Sequence, residues 1–233
     1  MTTDTPSTTG SSFLNRDAGN ATILIVDDHP IVRHGLAQLI DDTTGLEVCE
    51  KASNAADALD AIRKHQPDVA VIDISLGGGN GLELIKQVKA EGSQTKMLVS
   101  SMHDELLYAE RALRAGAMGY INKSEGTDRI IEAIRQILTG RIYLSGPITE
   151  RVLQRMMRND GRAGDSPIDT LSDRELEVFE MIGQGKTTKQ IAKSLHLSPK
   201  TIETHREHIK TKLNLENNNE LVRHAVQWVL ENG

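Results

Sequence analysis

Cysteine, aromatic residues and long apolar runs are all scarce in this chain of 233 residues. Cys49 is the single cysteine, which excludes an intrachain disulfide and any cysteine-based metal site. The expected role for its thiol is that of a small core residue on a strand. Aromatic residues make up 3% of the chain, too few for the stacking platforms on which RNA and single strands are bound. No segment approaches the roughly 18 to 20 apolar residues of a membrane span, so no membrane partner is expected. The first twenty residues, MTTDTPSTTGSSFLNRDAGN, lack the apolar stretch of a signal peptide and read as a disordered tail. A cytoplasmic location is the default that follows.

Charge is present but unevenly spread. The chain carries a net −6, yet the segment from Lys186 to Lys212 holds seven Lys and Arg against two acids. One basic segment in an otherwise acidic chain marks a local anion-binding surface.

Hydrophobic patterning divides the chain. Between residues 21 and 140, short apolar runs (Thr22-Val26, Leu46-Lys51, Asp68-Ile72, Lys96-Ser100, Gly119-Ile121) alternate with stretches of helical periodicity. Five such units predict an α/β fold: a doubly wound, five-stranded parallel sheet of the flavodoxin-like kind with helices on both faces. Residues 141–168 are rich in turn formers and predict a linker. Ile148, Val152 and Met156, spaced by four, predict a short linker helix. Residues 169–233 predict a small all-helical domain. Ser172-x-x-Glu175 is a capping box, and Ser198 with Pro199 opens a helix running to about Leu213.

In a doubly wound sheet the ligand site lies where the strands end. Asp27 and Asp28 follow the first strand and Asp73 ends the third. Three converging carboxylates repel unless a cation joins them, and an all-oxygen set with phosphate chemistry favours Mg²⁺. Ser101 ends the fourth strand with a hydroxyl and Lys123 the fifth with an ammonium. A carboxylate nucleophile, a metal, a hydroxyl and a cation together suit a phosphoryl group.

Ile25-Val-Asp-Asp-His-Pro30, Val71-Ile-Asp-Ile-Ser75, Ser101-Met-His-Asp104 and Gly116-Ala-Met-Gly-Tyr-Ile-Asn-Lys123 resemble the receiver domain of response regulators over about 120 residues. The resemblance implies that Asp73 accepts phosphate from a sensor histidine kinase. It implies that Asp28, Asp73 and the Ser75 carbonyl hold Mg²⁺, with Asp27 helping through water. Ser101 and Tyr120 would form the switch and Lys123 would pair with the phosphoryl oxygens. Ser75 and His103 would flank that group and set its hydrolysis rate. Where many receivers have a Met-Pro turn, this chain has Leu76-Gly-Gly-Gly-Asn-Gly81, which predicts a looser loop.

Leu171-Ser-Asp-Arg-Glu-Leu-Glu-Val178, Gln184-Gly-Lys-Thr-Thr-Lys-Gln-Ile-Ala192 and Leu197-Ser-Pro-Lys-Thr-Ile-Glu-Thr-His205 resemble the LuxR-type helix-turn-helix, the pairing found in response regulators of the NarL/FixJ type. The resemblance implies that 199–213 is the recognition helix and that the last helix dimerises on double-stranded DNA. Apolar Ile191, Leu195, Ile202 and Ile209 would face the core. Lys189, Lys200, Thr201, Glu203, Thr204, Arg206 and Lys210 would then lie outward, near phosphates and base edges. The expectation is a two-component transcription regulator, not an enzyme, dimeric when phosphorylated, whose phosphorylation frees the recognition helix from the receiver or favours a receiver dimer. Two other readings remain: a receiver with a protein-interaction module, or a Mg²⁺-dependent phosphohydrolase. The latter lacks its general acid, because Ser75 stands two places after Asp73.

Overall fold

The structure is a computed structural model that describes residues 19–77, 79–103, 105–150 and 167–232. The tail assigned to residues 1–20 lies almost wholly outside this range. So do Val152 and Met156 of the expected linker helix, although residues 146–150 are helical.

Five parallel strands form the sheet in the order β2-β1-β3-β6-β7: β1 Ala21–Val26, β2 Leu46–Ala52, β3 Val69–Ile72, β6 Lys96–Ser101 and β7 Gly119–Asn122. β3, Ile23–Val26 of β1 and Met97–Val99 of β6 are apolar without a break because both faces of the sheet are covered. Alternation along each strand sorts the side chains. Ile23, Ile25, Val71 and Leu98 point to the side of α1 (Pro30–Asp41) and α5 (Thr127–Leu138). Leu24, Val26, Ile72 and Val99 point to the side of α2 (Ala55–His65), α3 (Gly81–Ala90) and α4 (Glu105–Ala115). Asn54 caps α2 and Asn80 caps α3, each accepting a backbone N–H that the first turn leaves free.

The glycine-rich loop after β3 is tighter than its composition predicts. Ser75–Leu76 (β4) pairs antiparallel with Gly79–Asn80 (β5). The Gly81 N–H donates to Ile74 O at 2.7 Å. A Cβ built on Gly81 would lie 2.0 Å from the carbonyl oxygen of Asp73, so glycine here lets α3 start directly behind Asp73.

Four helices make the C-terminal domain: α6 Asp173–Gly183, α7 Thr188–Ser194, α8 Pro199–Leu213 and α9 Asn218–Asn232. Capping boxes at Ser172/Glu175 and Thr187/Gln190 fix the starts of α6 and α7. Ser198 caps α8 with Pro199 in its first turn, and Asn214 ends it in the left-handed conformation. Ile191, Leu195, Ile202 and Ile209 are buried as the pattern predicts. Trp228 packs on Phe179 with ring centroids 5.6 Å apart. Cys49 is half-buried on β2.

The two domains touch. The apolar cluster on the α2–α3–α4 side of the sheet runs on without a break into Leu176, Phe179 and Ile182 of α6. At the margin of this contact Lys86 lies 2.8 Å from Asp173, and Arg111 donates to Asp173, Leu171 O and Ile168 O at 2.8–3.1 Å.

Candidate functional site: an acidic pocket under the C-terminal domain

The topology brings the expected side chains together. β1 and β3 are neighbours, so Asp27, Asp28 and Asp73 meet at their carboxyl ends, and Lys123 reaches over from the end of β7. Lys123 Nζ lies 2.6 Å from Asp27 Oδ2 and 2.6 Å from Asp73 Oδ2. Both carboxylates are buried. Burial pushes the Asp73 carboxyl above its usual value, the Lys123 ammonium pulls it back, and neighbouring Asp27 raises it again. Burial opposes the Lys123 charge too, but the two carboxylates outweigh it and hold the ammonium protonated. The two shifts describe one condition: two buried anions share a single cation, so the pocket is one positive charge short.

Ligand atoms of Asp27, Asp28, His29 and Asp73 all lie within 4.8 Å of one another. Asp28 Oδ1 is buried and makes no hydrogen bond among the described residues, although His29 Nδ1 sits 2.7 Å away. An orphaned carboxylate oxygen beside two further carboxylates fits a hard divalent cation.

Ser101 is buried at the end of β6, and its hydroxyl helps to lower the Asp73 carboxyl. Tyr120 is fully buried, and its hydroxyl donates to His103 O at 2.8 Å. The ring expected to swing inward is therefore already inside, and Asn122 Nδ2 reinforces the same carbonyl at 3.1 Å.

Sequence reasoning missed the carboxylates that the C-terminal domain brings to this pocket. Glu177 on α6 is fully buried. It accepts from Ser75 Oγ at 2.7 Å and pairs with Arg174 at 2.6 Å. Glu180, one turn on, faces His103 Nδ1 at 3.0 Å and accepts from Tyr108 Oη at 3.1 Å. His103 Nε2 is 2.9 Å from Ser75 Oγ. Proton accounting fixes the roles. The Ser75 hydroxyl has one proton and gives it to Glu177, so it must accept from His103 Nε2–H. Nδ1–H must then donate to Glu180, which makes His103 an imidazolium. Burial disfavours that charge, but the Glu180 carboxylate outweighs burial and raises the imidazole above its usual value. No sequence signal marked these acids, because a Glu on an amphipathic helix ordinarily faces water.

Above the pocket, a cleft of about 1320 Å³ separates α1, with Ile31, Val32 and Leu36, from Lys186, Gln190, Lys193 and His196 of the C-terminal domain.

The expected DNA-facing residues divide. Lys189, Lys200, Glu203 and Thr204 are exposed and Thr201 is half-buried. Glu203 accepts from Thr188 Oγ1 at 2.8 Å. Lys210 is half-buried and paired with Glu207 at 3.0 Å. Arg206 departs from the expectation that it lies outward. It is 9% exposed, and its Nε makes no hydrogen bond among the described residues but lies 3.7 Å from Glu203 Oε2. The helix whose side chains reach the N-terminal domain is α6, while the outward residues of α8 are exposed.

Comparison with known proteins agrees with this geometry. Residues 23–135 match the response regulator receiver domain, and residues 169–225 match the bacterial regulatory proteins of the luxR family. The oxygen regulatory protein NreC of Staphylococcus carnosus is 35% identical over 209 residues, covering 88% of this chain and 96% of that protein. A LuxR-family two-component response regulator from Aurantimonas sp. SI85-9A1 is 34% identical, covering 60% of this chain and 99% of that one, with a TM-score of 0.55. RcsB of Salmonella enterica serovar Typhimurium, solved bound to the promoter rprA with a phosphomimetic, shares the fold at 24% identity, covering 89% of this chain and 99% of that one, with a TM-score of 0.58. Among the described residues no helix is long and apolar enough to cross a membrane.

Proposed function

The chain belongs to the two-component response regulators that join a receiver domain to a LuxR-type DNA-binding domain, and on that premise we propose that Asp73 is the phosphoacceptor through which a sensor histidine kinase controls its binding to double-stranded DNA. The observation that carries this is the shared ammonium: Lys123 bridges Asp27 and Asp73 at 2.6 Å each, with Asp28 beside them. In the transfer, an oxygen of Asp73 attacks the phosphorus of the kinase phosphohistidine. The new P–O bond forms as the P–N bond breaks, and the electron pair returns to the kinase imidazole, which takes up a proton. Asp28, Asp73 and the Ser75 carbonyl would hold Mg²⁺, with Asp27 assisting through water; the ion supplies charge neutralisation for the phosphoryl oxygens. Lys123, released from Asp27, pairs with one phosphoryl oxygen. Ser101 donates to another, and Tyr120 keeps the β6–α4 loop in place behind it. No carboxyl group stands two residues after Asp73 to protonate an ester leaving group or to take the proton of an attacking water, so the site serves as an acceptor and not as a hydrolase.

On the DNA side, Lys189, Lys200 and Thr201 are placed to contact phosphates, and Glu203 and Thr204 to contact base edges. Lys210 has a lesser part and Arg206 a structural one. Val222, Val226 and Leu230 form an exposed apolar stripe on α9 at helical spacing, which suits a dimer contact between two phosphorylated copies in the cytoplasm. Intact mass after treatment with acetyl phosphate tests the acceptor: the wild type gains one phosphoryl group and Asp73→Ala gains none. Duplex binding tests the effector. It falls steeply with salt if Lys and Arg meet the phosphates, and affinity that is the same with and without phosphodonor would refute the control.

A further inference from the structure

We propose that Glu203 of α8 fixes one base of the DNA site by accepting a hydrogen bond from the N4 amino group of a cytosine, and that Thr188 of α7 is the positioning residue that aims it. The inference rests on the reading of α8 as the helix that enters the major groove.

An acid is out of place on a surface that meets phosphates. The exposed residues at the starts of α7 and α8 are otherwise basic or neutral, with Lys189, Lys200 and Thr204 turned to solvent and Thr201 half-buried. The Glu203 side chain is 50% exposed among them. It repels every phosphate alike, whatever the sequence, and so carries information only through a base edge. Two neighbours set its direction. Thr188, in the first turn of α7 and fifteen positions away in the chain, donates its Oγ1–H to Glu203 Oε1 at 2.8 Å. Arg206, one turn on, brings Nε to 3.7 Å from Oε2, which is ion-pair distance but too long for a hydrogen bond. One oxygen is therefore tied, and the other accepts no hydrogen bond among the described residues.

Glu207 shows the ordinary alternative. One turn further along α8, it pairs with Lys210 of its own helix at 3.0 Å, as solvated acids on helices do. Glu203 is held instead from a second helix, so its carboxylate is oriented before DNA arrives and less side-chain freedom is lost on binding. It also stands at the fifth residue of α8, in the part of a recognition helix that reaches base edges. The choice of base follows from what a carboxylate can do, which is only to accept. In the major groove guanine presents O6 and N7, and thymine O4; all are acceptors and repel it. Adenine offers its N6 amino group, but N7 beside it is again an acceptor. Cytosine offers its N4 amino group with no acceptor on its own edge, so cytosine is the base that fits.

The experiment selects from a pool of randomised duplex DNA with the full chain, with and without acetyl phosphate, and reads the base preference position by position. The wild type is expected to show one position at which cytosine is preferred by roughly tenfold to a hundredfold. Glu203→Ala is expected to lose the preference at that position alone. Glu203→Gln is expected to move it from cytosine to adenine, because an amide pairs with N6 and N7 together. A switch of base is a result that altered packing or altered net charge does not give. Thr188→Val, which keeps the shape and removes the donor, is expected to narrow the cytosine preference roughly fivefold at the same position, and Thr188→Ser to restore it. If Glu203→Ala binds all sequences more tightly and keeps the wild-type motif, the acid only repels phosphate and the proposal is overturned. A wild-type preference for adenine at the position that Glu203 controls overturns the assignment to cytosine. A full preference in Thr188→Val overturns the part given to Thr188. If the wild type selects no motif in either condition, the reading of α8 as the base-facing helix itself fails.

Discussion

Two buried charge clusters meet at the top of the receiver sheet, and they find their positive charge in different ways. In the first, Asp27 and Asp73 divide one lysine between them, and every member comes from the receiver. In the second, Glu177 and Glu180 of α6 reach across the domain boundary to Ser75 and His103. The first cluster is built to be completed by a ligand, a divalent cation or a phosphoryl group. The second is completed already, by another part of the same chain. A site made within one domain stays assembled whatever the other does, whereas a site made between domains exists only while they touch. The comparison teaches that the same physical device, a buried anion wanting a cation, serves chemistry in one place and conformation in the other.

The largest expected effect comes from emptying the first cluster. Lys123→Ala leaves Asp27 and Asp73 buried and unpaired. Removing one partner of a buried pair costs on the order of 3–5 kcal/mol, so urea denaturation should show a loss of this size. Millimolar Mg²⁺ should return a good part of that stability if the carboxylates hold the ion, and no recovery would break the likeness drawn between cation and lysine. A smaller and more local effect belongs to Gly183, at the end of α6. A Cβ there would meet Ala225 O at 2.4 Å and Val229 Cγ2 at 2.5 Å, so Gly183→Ala should push α9 from α6 and cost roughly 1–3 kcal/mol, as overpacked sites do. Its signature should be a C-terminal domain that melts early beside a receiver that still takes up phosphate at the wild-type rate. A phosphorylation rate that changes as well would show that the two clusters communicate through the α6 backbone. The smallest effect is set by Glu175. Burial pushes its carboxyl up, but Lys212 at 2.6 Å and the Ser172 cap outweigh burial and hold it below the usual carboxylate range. A folded-state pKa below the unfolded one adds stability that is present above the unfolded value and lost as pH falls through the folded one. Glu175→Gln should thus flatten the acid limb of the stability curve of the C-terminal domain, lowering its stability at neutral pH and leaving it little changed at low pH.

The convergence of the acidic pocket was legible because its residues sit at strand ends. Asp27, Asp73, Ser101 and Lys123 each follow an apolar run, and parallel topology gathers such positions at one edge. The helix starts at Ser172 and Ser198 were equally readable from their capping residues. Burial of Arg206 was not, because a basic residue on an amphipathic helix is outward by default and only the neighbouring helices decide otherwise. The loop after Asp73 misled in the other direction. Three glycines suggest slack, yet Ser75–Leu76 and Gly79–Asn80 close into a hairpin because Gly81 must pass under the carbonyl of Asp73.

By itself the sequence determined the five βα units, the helical C-terminal domain and the gathering of three carboxylates with one lysine, since hydrophobic period and chain order act within each domain. Only the tertiary structure decided which face of the C-terminal domain turns to the receiver, and with it the pairing of Glu177 with Ser75 and of Glu180 with His103. Those partners lie 102 and 77 positions apart in the chain. No local periodicity spans such a distance, and it is the shared apolar cluster beneath α6 that brings them into contact.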